Sequence, residues 1–190
     1  MKKELLLKRV LAFIIDFYVG ALFSTMPISI ISTITINKMT QNVFLLEKNI
    51  AIIAVLISMI VLLIYYFVIP YKVFKGQTIG KKIVGLKINI HGKNFKTSLF
   101  KRQVLGYMLL EGSFSPIGKL LFQLFSLISG YNIVSIGTDI GNYIALASIG
   151  LLLCGRKHLM IHDYLGNTDV IAVCHEETKK IEKFKEKSYG

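Results

Sequence analysis

The sequence predicts an all-α integral membrane protein. It has four transmembrane helices, both termini in the cytoplasm, and a basic, glycine-containing cytoplasmic loop that carries a short interfacial helix. Three observations predict this. The 190 residues are 53% hydrophobic with mean hydropathy +0.58, more apolar than a soluble surface tolerates. The apolar residues fall in runs long enough to cross a bilayer. The charge is sorted: Lys and Arg outnumber Asp and Glu 23 to 11, and the basic residues collect between alternate apolar runs. On a soluble chain a net charge of +12 would suggest nucleic acid. Interleaved with spans, it suggests a bilayer containing anionic lipid and argues against a nucleic-acid partner.

The first span covers residues 10–32. Lys2, Lys3, Lys8 and Arg9 precede it like the n-region of a signal peptide. The run is too long for a cleaved signal, lacks an early small-x-small site and contains Asp16, so it reads as a retained helix. Pro27 is a candidate kink, with Ser24, Thr25 and Ser29 nearby to satisfy freed carbonyls. The second span covers residues 50–69 and ends at Pro70, with Tyr65, Tyr66 and Tyr71 at interfacial-belt positions.

Residues 71–102 carry nine Lys/Arg and no Asp or Glu, which places them in the cytoplasm. The next apolar region is interrupted at residues 111–116. It reads either as an interfacial helix over 103–112 followed by a span over 116–131, or as one discontinuous element. Lys119 favours the first, as a residue that snorkels from a short span. The fourth span covers 138–154, with a start near Ile133, and Arg156 and Lys157 follow it on the basic side. Residues 1–173 form the membrane unit, and 174–190 a charged cytoplasmic tail.

Two cytoplasmic motifs stand out. Gly76, Gln77, Gly80, Lys81, Lys82 and Gly85 punctuate the basic loop. The spacing is wrong for a phosphate loop, and Lys82 stands where a magnesium-binding hydroxyl belongs. The expected structure is an interfacial helix over 78–84. Ile79, Ile83 and Leu86 would face lipid or the bundle, Lys81 and Lys82 would face lipid phosphates, and the glycines would allow close approach. A hairpin follows, pairing 86–90 with 94–98 across His91, Gly92 and Lys93. The closing motif contains His162, Asp163, Thr168 and Val170.

Set beside Arg9 and Asp16, these motifs make the chain resemble the RDD family of small bacterial membrane proteins, named for an arginine and an aspartate in the first helix and a later aspartate. The resemblance covers residues 8–173 in order. Thr78 and Ile79 are mild departures from the glycine motif, and the region before the closing motif carries fewer arginines than is usual. The resemblance implies a multi-pass protein of the bacterial cytoplasmic membrane. For some members it implies sodium or proton exchange or general transport.

A carboxylate within a span must be paired, protonated or turned to a polar cavity. Arg9 lies two turns from Asp16 on roughly the same face, and Asp163 returns to the same side, so these three form the expected ion or structural polar site. Glu111 is a second candidate carboxylate, expected either to end an interfacial helix among headgroups and water or, if it lies in the membrane, to act as a coupling carboxylate. Gln123 is expected to make an interhelical hydrogen bond, and Asp139 to lie in an outer loop or cap. Cys154, His158 and His162 lack an oxyanion feature, and the chain reads as no enzyme, with no metal and no cofactor.

Two function classes follow. The first is transport of a cation (sodium or proton exchange) or small solute through Arg9, Asp16 and Asp163. The second is a non-catalytic membrane partner, assembly or immunity-type protein in which the same charges clasp the helices. Four helices enclose little volume, so a homo-oligomer or a protein partner is expected in either case.

Overall fold

The computed structural model describes residues 3–92, 94–111, 116–155 and 159–173. The helices are α1 (Lys3–Ile36), α2 (Lys48–Val73, wound as a wider π-helix from Ile64), α3 (Ile79–Val84), α4 (Phe95–Phe100, continued as a π-helix over Lys101–Leu110), α5 (Pro116–Ser129), α6 (Ile133–Cys154) and α7 (Ile161–Gly166). Two strands, β1 (Leu86–Ile90) and β2 (Thr168–Ala172), complete the described chain. Among the described residues two helices, α2 and α6, are long and apolar enough to cross a membrane by length and composition. At about 1.5 Å per residue, α5 alone covers roughly 20 Å, short of a hydrocarbon core of about 30 Å.

Every fourth residue of α1 from Ala12 forms a buried stripe: Ala12, Asp16, Gly20, Ser24, Ile28 and Ser32. Most of these side chains are small. With Ala51, Ala54 and Ser58 of α2 they let the two helices pack closely, as membrane helices do in the absence of a hydrophobic drive between them. The opposite face of α1 exposes Leu11, Ile14, Tyr18 and Leu22, an apolar surface suited to lipid. The main core joins this pair to α4 and α5 through Ile28, Val55, Leu62, Tyr107, Met108, Ile117 and Leu120.

At the α1 N-terminal end, β1 and β2 form a two-stranded antiparallel sheet, with Leu86 opposite Ala172 and Ile88 opposite Val170. This corrects the expected local hairpin. Asn94 caps a helix by accepting from Lys96 N (3.1 Å), so residues 95–100 coil, and β1 takes its partner from the closing motif instead. Leu86 and Ile88 are fully buried beneath the sheet, whereas Ile83 is exposed.

Other expectations change as well. Tyr65 and Tyr66 are buried rather than interfacial. Asp139 lies within α6, which begins after Asn132, and is exposed in its second turn rather than in a loop or at the cap. Gln123 is buried, but its Oε1 has no hydrogen-bond partner among the described residues. His158 and the tail from residue 174 lie outside the described residues.

The sheet register gives a direct test. In a C154S/C174S background, Lys87→Cys with Ile171→Cys, placed opposite each other, should crosslink under mild oxidation. Failure to crosslink, with efficient bridging of Lys87→Cys to Thr97→Cys instead, would restore the local hairpin.

Candidate functional site

Asp16 projects from the buried stripe of α1 into a pocket of donors. Its Oδ1 accepts from the Tyr65 hydroxyl (2.7 Å) and the Gly80 backbone N–H (2.8 Å). Its Oδ2 accepts from the Thr78 hydroxyl, and its backbone carbonyl accepts from the Tyr66 hydroxyl (2.9 Å). Thr78 is the N-cap of α3, so the glycine motif presents its first helical turn to the carboxylate. Gly80 must be glycine for this: a Cβ there would stand 2.8 Å from the Asp16 carboxyl carbon and clash with the Ala12 carbonyl. Gly20 serves the same purpose a helical turn beyond Asp16, where a Cβ would collide with the Tyr66 ring.

Asp163 has different partners. Its Oδ1 pairs with Arg102 Nη1, and its Oδ2 accepts from the Met160 N–H (3.1 Å) at the start of α7. Arg102 also donates to the Thr168 hydroxyl (2.6 Å), and its Nη2 lies 3.1 Å from His162 Nε2. His162 Nδ1 lies 2.8 Å from Glu111 Oε2. This arrangement selects a tautomer: Nδ1–H donates to the carboxylate, and Nε2 accepts from the guanidinium. Glu111 Oε1 further accepts from the Ser148 hydroxyl (2.5 Å) and the His162 N–H (3.2 Å). Glu111 is therefore fully buried and locks α4, α6 and α7 together, which corrects the expectation of a headgroup-facing residue.

Arg9 donates to the Val170 carbonyl (3.1 Å), tying α1 to β2, and lies in the field of Asp163, Asp169 and Arg102. Asp16 and Asp163 thus have separate partners. Both line one cavity of about 360 Å³ together with Arg9, Lys81, Arg102 and His162. Lys81 turns into this cavity rather than onto an outer face, while Lys82 is exposed and sits 3.9 Å over the Phe74 ring. Burial lowers the Lys81 ammonium to about 8, against the attraction of Asp16. Burial alone would raise Asp163, but the Arg102 guanidinium, helped by the Met160 N–H and Arg9, holds it at about 2. Of the glycine motif, Gln77 binds the Leu86 carbonyl (2.7 Å), and Gly85, in the left-handed region, ends α3.

The RDD family model matches residues 5–167. The chain belongs to the RDD family. That membership, with the apolar helices, makes it a membrane protein. No curated protein and no solved structure matches it. In this RDD protein Arg9, Asp16 and Asp163 ring one cavity, but the groups that hold the two aspartates are Thr78, Tyr65 and Arg102. The sequence carried a signal for Arg102: it is the last base before an apolar run.

A second cavity of similar size, about 370 Å³, follows along α1 toward the 37–47 loop. Its polar lining is Ser24, Thr25, Gln41, Gln123, Thr138 and Asn142, with one cation, Lys119. Phe17 lines its near end, and its ring lies 6.0 Å from that of Phe13, which lines the charged cavity.

Asp163 sets an acid limit. Its lowered pKa contributes stability that is full above its ordinary value of 3.8 and disappears as pH falls through about 2. Thermal unfolding in detergent should lose on the order of 2 kcal/mol across that interval. Arg102→Met should remove this acid limb and cost about 3–5 kcal/mol at neutral pH, because it strands a buried carboxylate. An unchanged acid limb in the variant would contradict the pairing.

Proposed function

We propose that this RDD protein is a non-enzymatic, multi-pass protein of the bacterial cytoplasmic membrane that carries a small solute along the cleft between α1 and α6. In this reading both termini lie inside, and α1, α2 and α6 cross the bilayer. A broken element made of the 101–110 helix and α5 supplies the fourth crossing, since α5 is too short to cross alone. The observation that carries the reading is the pair of cavities arranged end to end along one face of α1, the first lined by Arg9, Lys81 and Arg102, and the second, beyond Phe17, by Lys119 among neutral polar side chains. A carrier needs a polar route through both leaflets and a barrier between its halves. The Phe13–Phe17 pair is the barrier in this reading.

Asp16 suits a fixed structural anion better than an exchanging cation ligand. Of its roughly four acceptor positions, three are filled by protein donors. Sodium or proton exchange at Asp16 is therefore the less favoured form of transport. The engagement of both oxygens of Asp16 and of Asp163 by protein donors also supports a second reading, a clasped, non-transporting partner or assembly protein that works as a homo-oligomer or beside another protein, among anionic lipids and without a cofactor.

Cysteine accessibility separates the two. In proteoliposomes of a C154S/C174S background, Ser24→Cys should react with a membrane-impermeant maleimide only from the outer side, and Val10→Cys only from the inner side. Ile30→Cys, on the exposed face of α1, should remain unlabelled. If Ser24→Cys and Val10→Cys are as inert as Ile30→Cys, the route is dry and the partner reading stands.

A further inference from the structure

The charged cavity is unusual in its walls. One side is polar and built by α3, the 101–110 helix and α7. The other is apolar and built from two helices that scarcely touch: Leu6, Val10 and Phe13 of α1, and Ile149, Leu152 and Leu153 of α6. Val10 and Leu153 are exposed at its margin, and the outer faces of both helices are apolar. The cavity therefore opens sideways between α1 and α6, toward acyl chains rather than toward water alone.

The charges at its closed end are unequal in availability. Asp16, Asp163 and Glu111 are engaged by protein donors on both oxygens. Arg102 is committed to Asp163 and Thr168. Lys81 lines the cavity, and its ammonium forms no hydrogen bond or ion pair among the described residues. Arg9 lies on the same wall. A guest sees satisfied anions, the Lys81 ammonium, the Arg9 guanidinium already bonded to the Val170 carbonyl, and an apolar slot leading to the bilayer. Free inorganic phosphate would leave the slot unfilled, and a neutral hydrocarbon would leave the Lys81 ammonium without a counter-charge.

We propose that the cavity between α1 and α6 binds a membrane amphiphile with an anionic head, phosphate or carboxylate, which enters sideways from the cytoplasmic leaflet. Its head meets Lys81 and Arg9, and the start of one chain fills the slot. The occupant is a bilayer-borne lipid rather than a soluble anion. This rests on the proposed reading only in using the same cavity, and it holds whether the amphiphile is carried onward or simply retained.

The chain contains no tryptophan, so Leu153→Trp places a single reporter at the mouth of the slot. The full-length variant is reconstituted in nanodiscs containing chain-brominated phosphatidylglycerol or chain-brominated phosphatidylcholine at equal mole fraction. Quenching should be at least twofold greater with the anionic lipid. Adding Lys81→Met should reduce it to the zwitterionic level, while Lys81→Arg retains it. Decyl phosphate should compete with the brominated anionic lipid, and inorganic phosphate at the same concentration should not. Unfolding temperatures and elution volumes matching the parent identify correctly folded variants.

Equal quenching by the two lipids, or an anionic preference untouched by Lys81→Met, overturns the proposal. Competition by inorganic phosphate alone would also overturn it, in favour of a soluble anion. Preferential quenching in a protein whose cleft thiols stay unlabelled would leave this binding site standing and remove the transport reading. Labelled thiols with no lipid preference would do the reverse.

Discussion

One buried carboxylate organises the molecule. Asp16 sits in the middle of an apolar helix, where an isolated charge would be expensive. Its cost is met by donors from three separate places: a hydroxyl from α2, a hydroxyl from the residue capping α3, and a backbone N–H from the first turn of α3. Together these donors pull two segments onto α1. The tyrosine fixes how α2 rotates against α1. The Thr78–Gly80 turn draws the basic loop down onto the helix, and so sets where β1 begins and where Lys81 points.

The second network completes the same end of the molecule by similar means. Arg102, Asp163, His162 and Glu111 run as a chain of partners across α4, α7 and α6. Among the groups at that end, Arg9, Lys81 and Arg102 balance Asp16, Asp163 and Glu111, so that charge is concentrated without a large net field. Breaking any one partner leaves its counterpart buried and uncompensated, which is why such sets hold together as a unit. The cavity is what remains between the two networks, with apolar helices closing its far side.

The sequence made much of this legible. Long apolar runs and the sorting of basic residues led to membrane helices, and two motifs flanking a charged first helix led to the RDD family. Thr78 and the glycines marked a short helix, because capping and close approach are local properties. What it left hidden depends on distance. Tyr65 and Tyr66 looked like belt residues because their composition fits an interface, and only the rotation of α2 turns them onto Asp16. The partner of β1 lay more than seventy residues away, while a nearer turn offered a plausible local hairpin. Glu111 looked solvent-facing beside a glycine and a proline, yet His162 and Ser148 close around it. The buried stripe from Ala12 to Ser32 went unread, because its members mix small, polar and apolar residues rather than forming an apolar face.

The central claim is that Asp16 holds α3 against α1 through Thr78. A double-mutant cycle of Asp16→Ala and Thr78→Val, read by chemical unfolding in detergent micelles, tests it most directly. The account predicts a coupling of about 1.5–3 kcal/mol, the range for a hydrogen bond to a charged group. Effects that simply add, within about 0.5 kcal/mol, would contradict it.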